Sequence, residues 1–183
     1  MRVTRIDRPT GVLLFDPTPH VDSRGFFCRT FDAQVARDAG IDPDGFAQDS
    51  ISRSRRGVIR GMHLRKGTGE AKLVRCSYGE IFDVVADMRP DSPTFLSCET
   101  FRLTGDAQTS LYIPAGCAHG FQALSDVADV SYRIDRPHDP NEDVTIAFDD
   151  PDLAIRWPLP ATDVSERDRR APRLTQVLAS LAN

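Results

Sequence analysis

Four histidines stand at positions 20, 63, 119 and 138, and imidazole is the side chain most easily tuned to carry a proton near neutral pH. His63 lies in Val58-Ile59-Arg60-Gly61-Met62-His63-Leu64-Arg65, where strand alternation places it with Ile59 and Gly61, opposite Met62 and Leu64. His119 follows the tight Ile113-Pro114-Ala115-Gly116-Cys117-Ala118 and leads into an apolar strand over 120–124. His20 precedes a turn-like Val21-Asp22-Ser23-Arg24-Gly25, and His138 sits between Pro137 and Pro140. Taken singly, each reads as a structural histidine. The cations alter that reading. Arg53, Arg55, Arg56, Arg60, Arg65 and Lys66 fall within fourteen residues of an otherwise acidic chain. Such runs are ordinarily solvated loops, but Arg60 and Lys72 belong to strand segments beside His63. Fixed cations near a general base suit a phosphorylated substrate, which guanidinium groups grip in bidentate fashion. Phe26, Phe27, Tyr132 and Trp157 are available to stack on a base or a sugar.

The elements that must position these groups are short. Apolar segments at 11–15, 57–63, 72–76, 80–87, 94–103, 110–113, 120–124 and 127–134 are separated by turn signals about every ten residues. That rhythm predicts an antiparallel sandwich or barrel. Two stretches have helical spacing, 31–39 and 174–181. The Pro-rich stretch 157–172 carries apolar anchors at Trp157 and Leu159 and reads as a strap packed on the body. The expectation is one domain over residues 1–183, with 157–183 as an extension on the barrel. A strand-rich chain with one histidine just past a Gly and another beyond Pro-x-Gly suggests a cupin barrel. Many cupins bind a metal through His-x-His, a carboxylate and a distant His. Here Arg65 occupies the second His position. His63, Glu70 and His119 would form the alternative, a metal-dependent enzyme, against which the Arg65 cation argues.

Composition narrows the classes further. The chain has 183 residues, 40% hydrophobic, with 23 Lys plus Arg against 27 Asp plus Glu, a formal charge of −4. That balance argues against nucleic-acid binding through a bulk basic field. No apolar run reaches membrane-spanning length, and no leader-like stretch opens the sequence. Cysteines at 28, 76, 98 and 117 match no zinc pattern and suit a reducing compartment. The expectation is a cytoplasmic protein that binds neither nucleic acid nor membrane.

The motifs Asp22-Ser23-Arg24-Gly25-Phe26-Phe27, Gly57-Val58-Ile59-Arg60-Gly61-Met62-His63, Lys72-Leu73-Val74-Arg75-Cys76 and Phe82-Asp83-Val84-Val85-Ala86-Asp87 add a resemblance. With Ser92-Pro93-Thr94-Phe95, the run from Ile113 to Phe121 and Asp149-Asp150-Pro151, they resemble the dTDP-4-dehydrorhamnose 3,5-epimerase family in order. The series covers nearly the whole chain. It implies an all-β cupin jelly roll, a homodimer, and turnover without a metal or other cofactor. The implied substrate is a nucleotide-diphosphate sugar, a dTDP-linked 4-keto-6-deoxyhexose used for rhamnose or for secondary-metabolite deoxysugars. Carbon 3, carbon 5 or both are inverted through an enolate. A related sugar-nucleotide ketoisomerase is a further alternative.

By the family's pattern His63 is the base, Asp168 orients it, Tyr132 returns a proton from the far face, and Lys72 stabilises the enolate. Arg60 and Arg24 match positions that bind diphosphate and nucleotide, with the Arg24 segment exchanged into the partner's site. Phe27, Gln48, His119 and Arg167 match further substrate-facing positions. The chain departs from the pattern at Arg29 and Asp143, where the family carries Glu, at Ser50 in place of Asn, and at His138 in place of Tyr. Leu64-Arg65 replaces an aromatic-Gln pair, and the segment from His63 to Lys72 is one residue short. The proposed proton-transfer residues are intact while the rim is altered. That implies an active epimerase whose preferred base, or number of inverted carbons, differs from the common type.

Overall fold

The computed structural model describes residues 1–181. The last two residues of the expected extension, Ala182 and Asn183, lie outside the described residues. The strands are β1 (Arg2–Arg5), β2 (Leu13–Asp16), β3 (His20–Asp22), β4 (Gly25–Phe27), β5 (Gln48–Arg55), β6 (Ile59–Arg65), β7 (Lys72–Tyr78) and β8 (Glu80–Asp87). They continue as β9 (Cys98–Thr104), β10 (Ser110–Ile113), β11 (Cys117–Ala123), β12 (Val127–Ile134) and β13 (Asp143–Thr145). Helices are few and short: α1 (Ala33–Asp38), α2 (Glu166–Arg169) and α3 (Leu174–Leu181).

Two antiparallel sheets face each other as a jelly roll. One has the order β1-β2-β10-β7-β12-β5 and the other β13-β6-β11-β8-β9, while β3 and β4 form a separate hairpin. Alternation decides what each strand turns inward. Val74 and Cys76 of β7, Ile81 and Val85 of β8, Phe121 and Ala123 of β11, and Val130 of β12 make the core between the sheets. The residues two positions along in the same phase are polar: Lys72, Asp83, His119 and Tyr132. The barrel interior is therefore apolar at one end and polar at the other.

Each outer face has its own cover. Leu13 and Phe15 pack under Ala36 of α1. Asp32 caps that helix, accepting from the Gln34 and Val35 backbone N–H groups. Over the second sheet, Met62, Leu64, Val84 and Ala118 meet Leu174 and Val177 of α3. Burial of each such aliphatic side chain stabilises by about 2 kcal/mol. Asp150 accepts from the Leu174 N–H at 2.8 Å and fixes where α3 begins. Hydrogen bonds hold the strap against the barrel. Gln122 donates to Leu159 O at 2.8 Å, Thr162 N donates to Gly57 O at 3.1 Å, and Val164 bridges to Ile59. This path carries α2 to the barrel mouth. Among the described residues no helix is long and apolar enough to cross a membrane.

Three expectations need correction. The cationic run over 53–66 is not one solvated loop: Arg53 and Arg55 belong to β5, the edge strand paired along its length with β12, and Arg60 and Arg65 belong to β6. Trp157 is no stacking platform: it packs edge-on against Phe82 and donates its Nε1–H to Phe148 O at 2.8 Å. Simple alternation through β6 also fails. The register between β6 and β11 shifts, with His119 opposite His63 but Phe121 opposite Arg60. Three residues on one strand thus span two on the other, a bulge. Gly61 at its centre has φ +134°, and a Cβ there would stand 2.5 Å from Gly120 Cα. Only glycine fits this crossing. The bulge turns Arg60 and His63 onto one face instead of opposite ones.

Candidate active site

The polar end of the barrel opens into a cavity of about 390 Å³, within the range of small-molecule sites. Its walls include Gln48, Ser50, Arg60, His63, Lys72, His119, Tyr132, His138, Asp143 and Arg167, all expected from the sequence. Asp168 stands directly behind His63.

His63 projects from β6, about one-third exposed, and its Nε2 lies 2.7 Å from Asp168 Oδ1, whose side chain is 3% exposed. A carboxylate accepts only, so Nε2 carries the proton and Nδ1 keeps the lone pair. Burial pushes the Asp168 carboxyl up. Hydrogen bonding to His63 and its charge, together with bonds from the Gly61 N–H and Ser165, outweigh that and hold it below its ordinary value. Asp168 therefore stays ionised and stabilises an imidazolium when one forms. Asp168 sits at this point because Ser165 caps α2, accepting from the Asp168 N–H at 3.1 Å. Arg167, on the same helix, reaches Asp143 at 2.9 Å and closes one rim of the cavity.

Tyr132 and Lys72 come from the opposite sheet. The Tyr132 hydroxyl is 3.2 Å from Ser52 Oγ, and its ring meets His119 edge-on at 6.4 Å. Burial raises the phenol's pKa well above its ordinary value, and the negative charge of Asp83 adds to this, so it remains a proton donor at neutral pH. Lys72 is buried, with Nζ 2.9 Å from Glu70 Oε1. His119 is buried too, its Nε2 2.8 Å from Asp83 Oδ2. Burial pushes Asp83 up against the pull of His119 and Lys72. Bound in this way, His119 supports the Tyr132 wall.

Arg60 is braced by donation to Ser54 Oγ at 3.0 Å and Arg53 O at 3.1 Å, with no carboxylate partner among the described residues. A guanidinium held at a cavity edge in this way has the chemistry to bind an anion. Gln48 and Ser50 stand with Ser52 on the inward face of β5.

Arg24, Phe27 and Arg29 do not line this cavity. Arg24 and Phe27 belong to the exposed β3–β4 segment, and Arg24 pairs with its neighbour Asp22. Arg29 pairs with Asp32 at the start of α1. The metal alternative meets a chemical obstacle: the two oxygens of Glu70 face cations, at ion-pair distances of 3.0 Å from Arg65 and 2.9 Å from Lys72. Among the described residues no three His, Cys, Asp or Glu side chains cluster to hold an ion. The sequence reading missed Ser52, Asp83 and the pairing of Glu70. Ser52 had a signal in the period-two series Gln48, Ser50, Ser52, Ser54, and Asp83 in being a carboxylate flanked on both sides by apolar residues in the middle of β8.

Two walls of one jelly roll thus hold an oriented imidazole and a protonated phenol, the equipment of a cupin enzyme that moves protons on carbon. The chain belongs to the dTDP-4-dehydrorhamnose 3,5-epimerase family, whose model matches residues 8–176. It is 41% identical over 171 residues to the dTDP-4-dehydrorhamnose 3,5-epimerase of Pseudomonas aeruginosa, covering 93% of this chain and 94% of that one. Its fold superposes on a Legionella pneumophila dTDP-6-deoxy-D-glucose-3,5-epimerase in complex with dTDP-4-keto-L-rhamnose, with TM-score 0.92, 36% identity and coverage of 98% and 96%. A 3'-monoepimerase from Streptomyces bikiniensis in complex with dTDP-quinovose gives TM-score 0.89 and 32% identity, covering 97% of this chain and 91% of that one.

Proposed function

We propose that this chain inverts carbon 3, carbon 5 or both of a dTDP-linked 4-keto-6-deoxyhexose, using the cavity between the two sheets. The ketone acidifies the hydrogens on its neighbouring carbons. Nδ1 of His63 takes one of them, and Asp168 holds the imidazolium that results. The electrons move onto the ketone oxygen as an enolate, which Lys72 stabilises with its buried charge. Tyr132, on the opposite sheet, gives its proton to the other face of the same carbon and so inverts it. Arg60 binds the diphosphate, and Gln48, Ser50, His138, Asp143 and Arg167 hold the sugar and nucleotide. The observation that carries this reading is the 2.7 Å His63–Asp168 pair on one wall with Tyr132 on the other. The test is incubation with a dTDP-4-keto-6-deoxyhexose in deuterated water. Deuterium is expected at carbon 3, carbon 5 or both, with inverted product; a substrate recovered without label sinks the reading.

The same proposal includes a homodimer. The β3–β4 hairpin leaves Val21 78% and Phe27 68% exposed, an apolar surface that a second copy would cover. Arg24 at the hairpin tip, 88% exposed, would then reach the partner's diphosphate site and bring Phe27 and Arg29 near the nucleotide. If so, mixing refolded His63→Ala chains with Arg24→Ala chains should restore turnover that neither shows alone. Only a mixed dimer has one site with both residues. Failure of the mixture to exceed its components would place Arg24 in its own chain's site or in none. The four free thiols suit a reducing, cytoplasmic setting.

A further inference from the structure

Glu70 is a cavity-lining carboxylate that the proposed chemistry leaves unused, and it stands between two cations. Its Oε1 is 2.9 Å from Lys72 Nζ and its Oε2 is 3.0 Å from an amino nitrogen of Arg65. All three side chains are nearly out of solvent, at 11%, 8% and 4% exposed. Arg65 is fixed independently by donation to Pro137 O at 2.6 Å, and its other amino group faces His138 Nδ1 at 3.4 Å. The remaining acids nearby have partners of their own. Glu142 lies 3.8 Å from Arg136 as well as 4.0 Å from Arg65 Nε, and Asp83 is bonded to His119. Asp135 accepts from the Ala71 N–H.

A lysine paired with one carboxylate is a neutral dipole, and the field of a dipole falls off faster than that of a charge. An enolate oxygen in a poorly solvated cavity responds to net charge. Lys72 with Glu70 alone would have spent its charge on a resident anion before any substrate arrived. With Arg65 the group has two cations and one carboxylate, so one positive charge is left over. We propose that Arg65 is a positioning residue for epimerisation. It offsets Glu70, so that Lys72 meets the enolate with an unspent charge and with N–H donors not committed to Glu70. Arg65 acts through Glu70 and Lys72. Its grip on Pro137 also ties this charge to the loop that carries His138. The inference rests on the role given above to Lys72.

Steady-state kinetics and deuterium wash-in with a dTDP-4-keto-6-deoxyhexose test it. Arg65→Gln, which makes the group neutral, should lower kcat and the wash-in rate about 10- to 100-fold while KM stays close to wild type. Arg65→Gln combined with Glu70→Gln returns the group to one positive charge and should recover most of that loss. A purely structural role for Arg65 would show as a lowered Tm in Arg65→Gln with kcat per folded molecule unchanged, whereas the offset predicts a fall in kcat for protein that is fully folded at the assay temperature. Arg65→Lys keeps the charge but cannot reach Pro137 O and Glu70 at once with two separate amino groups, and should lie near the double variant. If Arg65→Gln alone does not fold, the double variant decides: retained turnover supports the offset, and loss as deep as in Lys72→Met overturns it. Wild-type kcat in Arg65→Gln, with wash-in intact, overturns the inference and leaves the roles of His63 and Tyr132 standing. Absence of wash-in in the wild type removes both.

Discussion

His63→Ala should abolish deuterium wash-in at both carbons next to the ketone, a loss of at least about 10³-fold, while nucleotide affinity is retained. Such a loss corresponds to about 4 kcal/mol of barrier. The reasoning starts from the tautomer. Asp168 accepts from Nε2, so the lone pair is left on Nδ1, the atom to which the proposal gives the base role, with the carboxylate placed to stabilise the charge formed as the proton arrives. Alanine removes the proposed base and leaves Arg60, the proposed diphosphate ligand, in place. The loss must therefore appear in kcat and not in the affinity for dTDP. Asp168→Asn should sit between, about 100-fold down, because the imidazole keeps a polar neighbour but loses the charge that stabilises its protonated form. Wash-in by His63→Ala at a rate near wild type would remove His63 from the base role. An equal fall in dTDP affinity would show that the residue shapes the cavity instead.

Much of the barrel was readable because its strands obey a local rule. β8, β10 and β12 fall where the apolar segments and turn signals put them, and α3 spans its predicted stripe. β5 was not readable: its outward residues are Asp49, Ile51, Arg53 and Arg55 and its inward ones Gln48 and three serines, so no apolar alternation marks it. It exists because β12 offers a full row of backbone partners. β3 and β4 were missed for a related reason, since Val21, Phe26 and Phe27 point to solvent in the single chain. At the site, the shared face of Arg60 and His63 depends on the crossing of Gly61 over Gly120, a contact between distant segments that period-two counting cannot see. The His63–Asp168 pair is separated by 105 residues. Nothing local links the two, so the resemblance suggested the pairing and the packing of the strap explains it. The Arg65–Glu70–Lys72 group shows the opposite case. Its members lie close in sequence, yet Glu70 read as a metal ligand because spacing alone says nothing about which charges face one another.

Tyr132→Phe should separate two events that His63→Ala stops together. In the proposed mechanism the phenol gives its proton from the far wall, and burial keeps it protonated. Without the hydroxyl, His63 still removes a hydrogen and can still return one, but only to the face it came from. His63 is about one-third exposed, so its Nδ1 proton exchanges with water between visits. The substrate recovered from Tyr132→Phe in deuterated water should therefore carry label with its original configuration, while formation of inverted product falls about 10²- to 10⁴-fold. Mass and coupling constants of the recovered sugar distinguish these outcomes. Parallel loss of exchange and inversion would instead place Tyr132 in binding or in assisting the first proton loss. Ser52→Ala supplies a graded control. Ser52 touches the Tyr132 hydroxyl at 3.2 Å and aims it, so its removal should reduce inversion less than loss of the phenol while affecting exchange no more. If the serine variant depresses exchange first, the phenol's orientation governs deprotonation, and the acid on the far face must be sought elsewhere.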